Sequence, residues 1–200
     1  GATYPREFKS LIEPQTDFIN AFEIIKVEEI NEADAQKILI YEITETKPGE
    51  IFIHRNIANL VVHTDLNMLS VLQYAIENLK VKHVIVAGHY ECGGIQAALK
   101  DIDLGLANNW LRNIKETYQQ HAEELETIKE PKARERLLVE LSTMEQVRNL
   151  AKTSIVQHAW KKRQVEIHGW VVDIATGLIK ELPINLNKQA DLPPVFRYKI

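Results

Sequence analysis

An α/β fold with a mainly parallel central sheet, flanked by helices and closed by an antiparallel C-terminal edge, is predicted by three observations. From residue 36 onward, short apolar β-rich runs alternate with helical periods, the order of strands separated by crossover helices. One run, "HVIVAG" at 83–88, is continuously apolar, as a strand covered on both faces should be. Near the end, "QVEIHGWVVDIATGLIKEL" holds two β-rich stretches around Thr176-Gly177, which read as an antiparallel hairpin.

Taken in order, residues 1–35 form a divergent N-terminal segment in which Phe18, Phe22, Ile24 and Ile25 follow no decisive period. The domain proper is expected over 36–200. "KILIYEI" is its first strand, and "GEIFIHRN" follows a Pro48-Gly49 turn as a second. Leu66, Leu69, Leu72, Ile76 and Leu79 recur at three- and four-residue steps, one apolar helix face that Thr64 or Asp65 can cap. After the strand "HVIVAG", "GGIQAAL" starts a short helix, and Trp110, Leu111, Ile114 and Tyr118 mark another. Pro131 interrupts the charged region that follows. Leu137, Leu141, Met144, Val147, Ala151, Ile155 and Ala159 then describe one amphipathic helix of about six turns. Lys161, Lys162 and Arg163 end it, as cations opposing the negative end of the helix dipole.

With 200 residues and 45% hydrophobic content, the chain can bury a substantial core without a second domain. A formal charge of -4 gives no basis for a nucleic-acid partner. No apolar stretch reaches the roughly 20 residues of a membrane span, and "GATYPREFKS" lacks a secretory pattern, so a cytoplasmic protein without membrane contact is expected. A single cysteine excludes an internal disulfide framework.

That cysteine sits in "VIVAGHYECGGIQAAL". His89 and Cys92 offer an imidazole and a thiolate at the carboxyl end of a buried parallel strand, where open α/β sheets bind ligands. Gly93 and Gly94 bring backbone amides close to an anion, and the Tyr90 ring borders the same pocket. The His-x-x-Cys spacing is weak by itself, because a lone buried cysteine is usually a small hydrophobe.

Five segments add context: "KPGEIFIHRNIANLV", "VKHVIVAGHYECGGIQAAL", "NWLRNIKETY", "EQVRNLAKTSIVQHAW" and "IHGWVVDIATGLIKEL". In this order and at these separations, over about residues 43–185, they resemble the β-class carbonic anhydrases. The resemblance implies a dimeric or larger homo-oligomeric α/β protein with zinc near the subunit interface, reversibly hydrating carbon dioxide to bicarbonate. His89 and Cys92 match two of the family's zinc ligands, and Gly93 and Gly94 match the glycines that follow. The family's other metal motif, Cys-x-Asp-x-Arg after the first core strand, is absent from "KILIYEITETKPGEIF". The missing cysteine would be a ligand, and the missing aspartate and arginine the pair that orients or replaces the fourth. Zinc at this site is therefore expected to be weak or absent. Glu42 is the best substitute ligand, ahead of Tyr41 and Glu45, since zinc accepts a carboxylate.

Other residues take simpler readings. His54, Arg55 and Asn56 form a polar network at a strand end rather than catalytic groups. His63, His83, His121, His158 and His168, lacking paired ligand spacing, are read as surface or structural. Trp110, Trp160 and Trp170 are core or interface aromatics. Three functions compete: a hydratase using a substitute ligand, a non-catalytic dimeric binding or regulatory subunit, and a zinc staple joining His89 and Cys92 of two chains. The staple ranks last, because the family places its two sites apart. The incomplete motif favours impaired or lost hydration, and no residue is assigned as catalytic.

Overall fold

The computed structural model describes Thr44, residues 46–47, 49–163 and 165–199. Apart from Thr44 these belong to one unit, Glu45–Ile200, which is described by itself. The expected strand "KILIYEI", the candidate ligands Tyr41 and Glu42, and Glu45 lie outside the described residues.

Residues 51–56 form no strand among the described residues, which corrects the expectation for "IFIHR". Ile51 and Ile53 are half-buried and Phe52 is 49% exposed, so the alternation is real. Alternation sets the sides of a segment, but a strand also needs a hydrogen-bonded neighbour. Asn56 instead closes a turn, its amide nitrogen donating to the Leu60 carbonyl and its amide oxygen accepting from the Leu60 N–H, both at 2.8 Å.

Helix α1, Leu66–Gln73, is capped by Asp65, whose carboxylate accepts from the Asn67 and Met68 amides. It continues as a wider π turn through Asn78. Met68, Leu72 and Ile76 are its buried face, whereas Leu66 and Leu79 at the ends of the expected stripe are exposed. Strand β1, His83–His89, leads through a tight turn into α2, Gly93–Ala98. Then come α3, Ala107–Gln120, and α4, Ala122–Thr127. Pro131 is the first residue of α5, Pro131–Lys152, a position where its missing N–H costs nothing.

The expected six-turn helix is two helices. Thr153 leaves helical geometry with ψ 144°, and its hydroxyl accepts from the Val156 amide to start α6, Ser154–Lys162. The apolar period runs across the break, which is why periodicity alone joins the two. Lys161 and Lys162 do lie in the last turn of α6. Arg163 reaches instead to the carbonyls of Ile76 and Val81, at 2.8 and 2.7 Å, and ties α6 to the chain entering β1.

Strand β2, Glu166–Asp173, pairs in parallel with β1, and β3, Leu178–Glu181, pairs antiparallel with β2 after the expected turn. Gly177 has φ 72°, a conformation that disfavours side chains. Helix α5 covers one face of this sheet. Its N-terminal half supplies Leu138 and Leu141 to a cluster with Leu60, Cys92, Ile95, Leu111 and Ile114. Its C-terminal half supplies Val147 and Leu150 to a second cluster with Met68, Leu72, Val86 and Val156. On the opposite face of β1 Ile85 is 40% exposed and Ala87 is exposed, so the described residues do not cover that face as expected. No described helix is long and apolar enough to cross a membrane.

Candidate functional site

The strand, turn and helix that carry His89 and Cys92 are held against α5 by a glycine. A Cβ on Gly88 would fall on the Thr143 hydroxyl, so only glycine lets the end of β1 lie this close to the helix. The Asn59 side chain approaches the same point, and its buried amide nitrogen has no partner among the described residues. Beyond Tyr90, Glu91 takes φ 59°, a left-handed conformation that turns the chain sharply into α2. Gly94 then allows α2 to approach Ala58 and Ile57, where a Cβ would stand 3.0 and 3.2 Å from their side chains. A Cβ on Gly93 would meet nothing within 4 Å, so close packing does not require that glycine.

This route brings His89 and Cys92 together, as their spacing suggested. The Tyr90 carbonyl lies 2.9 Å from His89 Nδ1, and a carbonyl only accepts, so Nδ1 carries the proton. The Nε2 lone pair of the neutral ring is then directed by a backbone partner, the arrangement found for histidines that bind metals. Burial pushes the Cys92 thiol up; hydrogen bonds to the His89 ring and to the Ile95 and Gly94 amides, with the positive charge of that ring, outweigh it, so the thiol titrates below its ordinary value when His89 is the imidazolium. Cys92 is buried among Leu60, Ile95 and Leu111.

An imidazole with its far nitrogen occupied and a thiol biased toward thiolate are the donors zinc prefers. As a set they are short. Among the described residues no third histidine, aspartate or glutamate joins them in a metal-sized group. A catalytic zinc usually has three protein ligands, so the described part of the site fits zinc in kind but not in number.

The Tyr90 side chain is engaged by α5. Its hydroxyl donates to Glu140 Oε1 at 2.6 Å, and Glu140 also receives Lys180 Nζ at 2.7 Å. The Arg136 guanidinium stacks 3.5 Å over the Tyr90 ring while pairing with Asp173 at 3.0 Å. The tyrosine therefore ties the end of β1 to α5 and the hairpin, an engagement its place in the motif did not reveal. His54 Nε2 is a second buried polar atom without a partner among the described residues. The indole nitrogens of Trp110 and Trp160 each donate to a backbone carbonyl, Ile57 and Val165, at 2.8 Å, consistent with packing roles.

A different grouping was not visible in the sequence. His83 Nδ1 and His168 Nε2 lie 3.2 Å apart, with Glu166 beside both. The histidines are 85 residues apart and meet only because β1 and β2 pair in parallel with His83 opposite Glu166. The local trace is the Glu166-x-His168 spacing, which puts both side chains on one face of a strand.

Residues 37–179 match the family model described as carbonic anhydrase. A carbonic anhydrase of Emericella nidulans is 48% identical over 145 residues, covering 72% of this chain and 64% of that protein. This chain thus spans less than two thirds of that relative. Among solved structures, a Coccomyxa β-carbonic anhydrase in complex with acetazolamide superposes with TM-score 0.71 at 35% identity, covering 76% of this chain and 69% of the other. One of two β-carbonic anhydrases of Sordaria macrospora described as tetrameric gives TM-score 0.67 at 37% identity, covering 72% and 74%.

Proposed function

We propose, for a chain that belongs to the β-class carbonic anhydrases, that it keeps the family scaffold and half of the zinc site while hydrating carbon dioxide far more slowly than the family reaction requires, or not at all. The observation that carries this reading is the donor set. His89 and Cys92 are paired and chemically suited to zinc, yet no third donor joins them among the described residues. The sequence lacks the Cys-x-Asp-x-Arg motif that would complete the set.

Zinc, when bound in such a site, supplies Lewis-acid polarisation and a water acidic enough to attack near neutral pH. The rest is the chain's own work. The Tyr90 carbonyl holds the His89 tautomer, the Gly94 and Ile95 amides favour the Cys92 thiolate, and Gly88 sets how deeply both sit against α5. Each of these acts with two donors as well as with three. A shortfall in ligand number is thus compatible with an intact fold.

Equilibrium dialysis against micromolar zinc tests this reading by difference. The untagged chain and its Cys92→Ser variant are expected to hold the same amount, because Cys92 does not secure a tightly bound ion. A full equivalent lost on Cys92→Ser would overturn the proposal. If Glu42→Ala lost it too, Glu42 would be the third ligand of an active site.

The proposed assembly is a homodimer or a larger homo-oligomer, supported by the Sordaria macrospora structures described as tetrameric. Light scattering at micromolar concentration is expected to show at least a dimer. A monomer would contradict this.

A further inference from the structure

At the opposite end of β1 from His89, about 20 Å away for a six-residue step along a strand, the sheet builds a second donor cluster. His83 begins β1, and its parallel register partner Glu166 begins β2. Two residues on, His168 lies on the same strand face as Glu166. His83 Nδ1 is 3.2 Å from His168 Nε2 and 3.7 Å from Glu166 Oε2, and His168 Nε2 is 3.9 Å from the same oxygen.

We propose that His83, Glu166 and His168 bind a divalent zinc-type cation on the open face of the sheet, separate from the His89–Cys92 pair. Ligand atoms bonded to zinc at about 2.0–2.2 Å in a tetrahedron stand roughly 3.3–3.6 Å apart. The three separations straddle that range: the in-plane point equidistant from the three atoms lies about 2.1 Å from each, and a tetrahedral ion needs the Glu166 carboxylate to close in by about 0.3–0.5 Å. The cluster is therefore close to the size of a coordination shell.

Its outer contacts support the same reading. His168 Nδ1 lies 3.2 Å from Glu181 Oε1, on β3, so a carboxylate takes the proton on the far nitrogen and leaves Nε2 as the donor. This carboxylate–histidine pairing orients metal-binding imidazoles. With Nδ1 of His168 protonated, its Nε2 accepts, and His83 Nδ1–H must donate across the 3.2 Å gap. A cation replaces that shared proton when His83 moves its proton to Nε2, so both rings stay neutral. Two imidazoles and one carboxylate are donors of intermediate softness that suit zinc, while His83 is 54% exposed and leaves a solvent-facing position for water.

The test uses the untagged 200-residue chain carrying Cys92→Ser, so that the other pair contributes no thiolate. One zinc equivalent per chain is expected by equilibrium dialysis. Adding His83→Ala and His168→Ala should weaken binding by more than about 100-fold, and Glu181→Gln should weaken it by about 10–100-fold. Histidine-selective NMR of the Cys92→Ser chain needs no further substitution, and zinc should shift the His83 and His168 ring signals. Zinc binding that survives the double substitution undiminished would overturn the proposal. So would the absence of any zinc-dependent shift in those two rings.

Discussion

Replacing Gly88 with alanine tests how the end of β1 is positioned. The new Cβ would occupy the place of the Thr143 hydroxyl, and Thr143 is 1% exposed in the middle of α5. That hydroxyl donates to the Val139 carbonyl at 2.9 Å, so it cannot swing aside without giving up its hydrogen bond inside the core. Overpacking a core by one methyl costs about 1–3 kcal/mol, and a buried hydroxyl left unpaired costs about 1–3 kcal/mol more. Partial relaxation of the helix shares the two, so the expected loss is about 2–4 kcal/mol. For a urea slope of about 2 kcal/mol per molar, the unfolding midpoint should fall by about 1–2 M. Thr143→Ala removes the obstacle, and the pair of substitutions should recover at least about 1 kcal/mol relative to the sum of the singles. A Gly88→Ala midpoint within about 0.2 M of the parent, or a double variant that is merely additive, would refute the reasoning.

Three further outcomes are expected. Asp65→Ala removes the cap that accepts from the Asn67 and Met68 amides and should destabilise the chain by about 1 kcal/mol in urea unfolding, whereas Asp65→Asn should recover most of it. The Tyr90 hydroxyl is pushed up to about 12 by burial and by its hydrogen bond to Glu140, from an ordinary value of 10.0. The folded state thus favours the neutral phenol, so this stabilisation is complete below pH 10 and is lost as pH rises through 12. Ultraviolet titration should show one late-ionising tyrosine that disappears in Tyr90→Phe, and a tyrosine count unchanged in the late phase would refute the assignment. Gln146, 2% exposed, accepts from the Val61 amide at 2.9 Å. Gln146→Leu should cost about 1–3 kcal/mol by leaving that amide unpaired, a loss that thermal unfolding should reveal.

What the sequence made legible was local. Thr64 and Asp65 announced a helix start, because such residues before an apolar period are capping signals, and Asp65 is the one that caps; Thr176-Gly177 announced the β2–β3 turn. The proximity of His89 and Cys92 was legible because they stand three positions apart along one strand-to-helix turn. The misses depended on distant partners. Thr153 splits an unbroken apolar period through a hydroxyl and one backbone angle, neither of which alters periodicity. Ile85 and Ala87 belong to a continuously apolar run, yet apolarity does not show what covers a face. His83 and His168 acquire chemistry only through the parallel register, and Tyr90 is claimed by Glu140 and Arg136, 50 and 46 residues downstream in the sequence.

Stopped-flow hydration of carbon dioxide, followed with a pH indicator in zinc-supplemented buffer, decides whether the His89–Cys92 site is catalytic. The unmodified chain is expected to run at the buffer background, and Cys92→Ala is expected not to change the rate. Saturable, zinc-dependent hydration that Cys92→Ala abolishes would contradict this expectation and would establish a complete catalytic site.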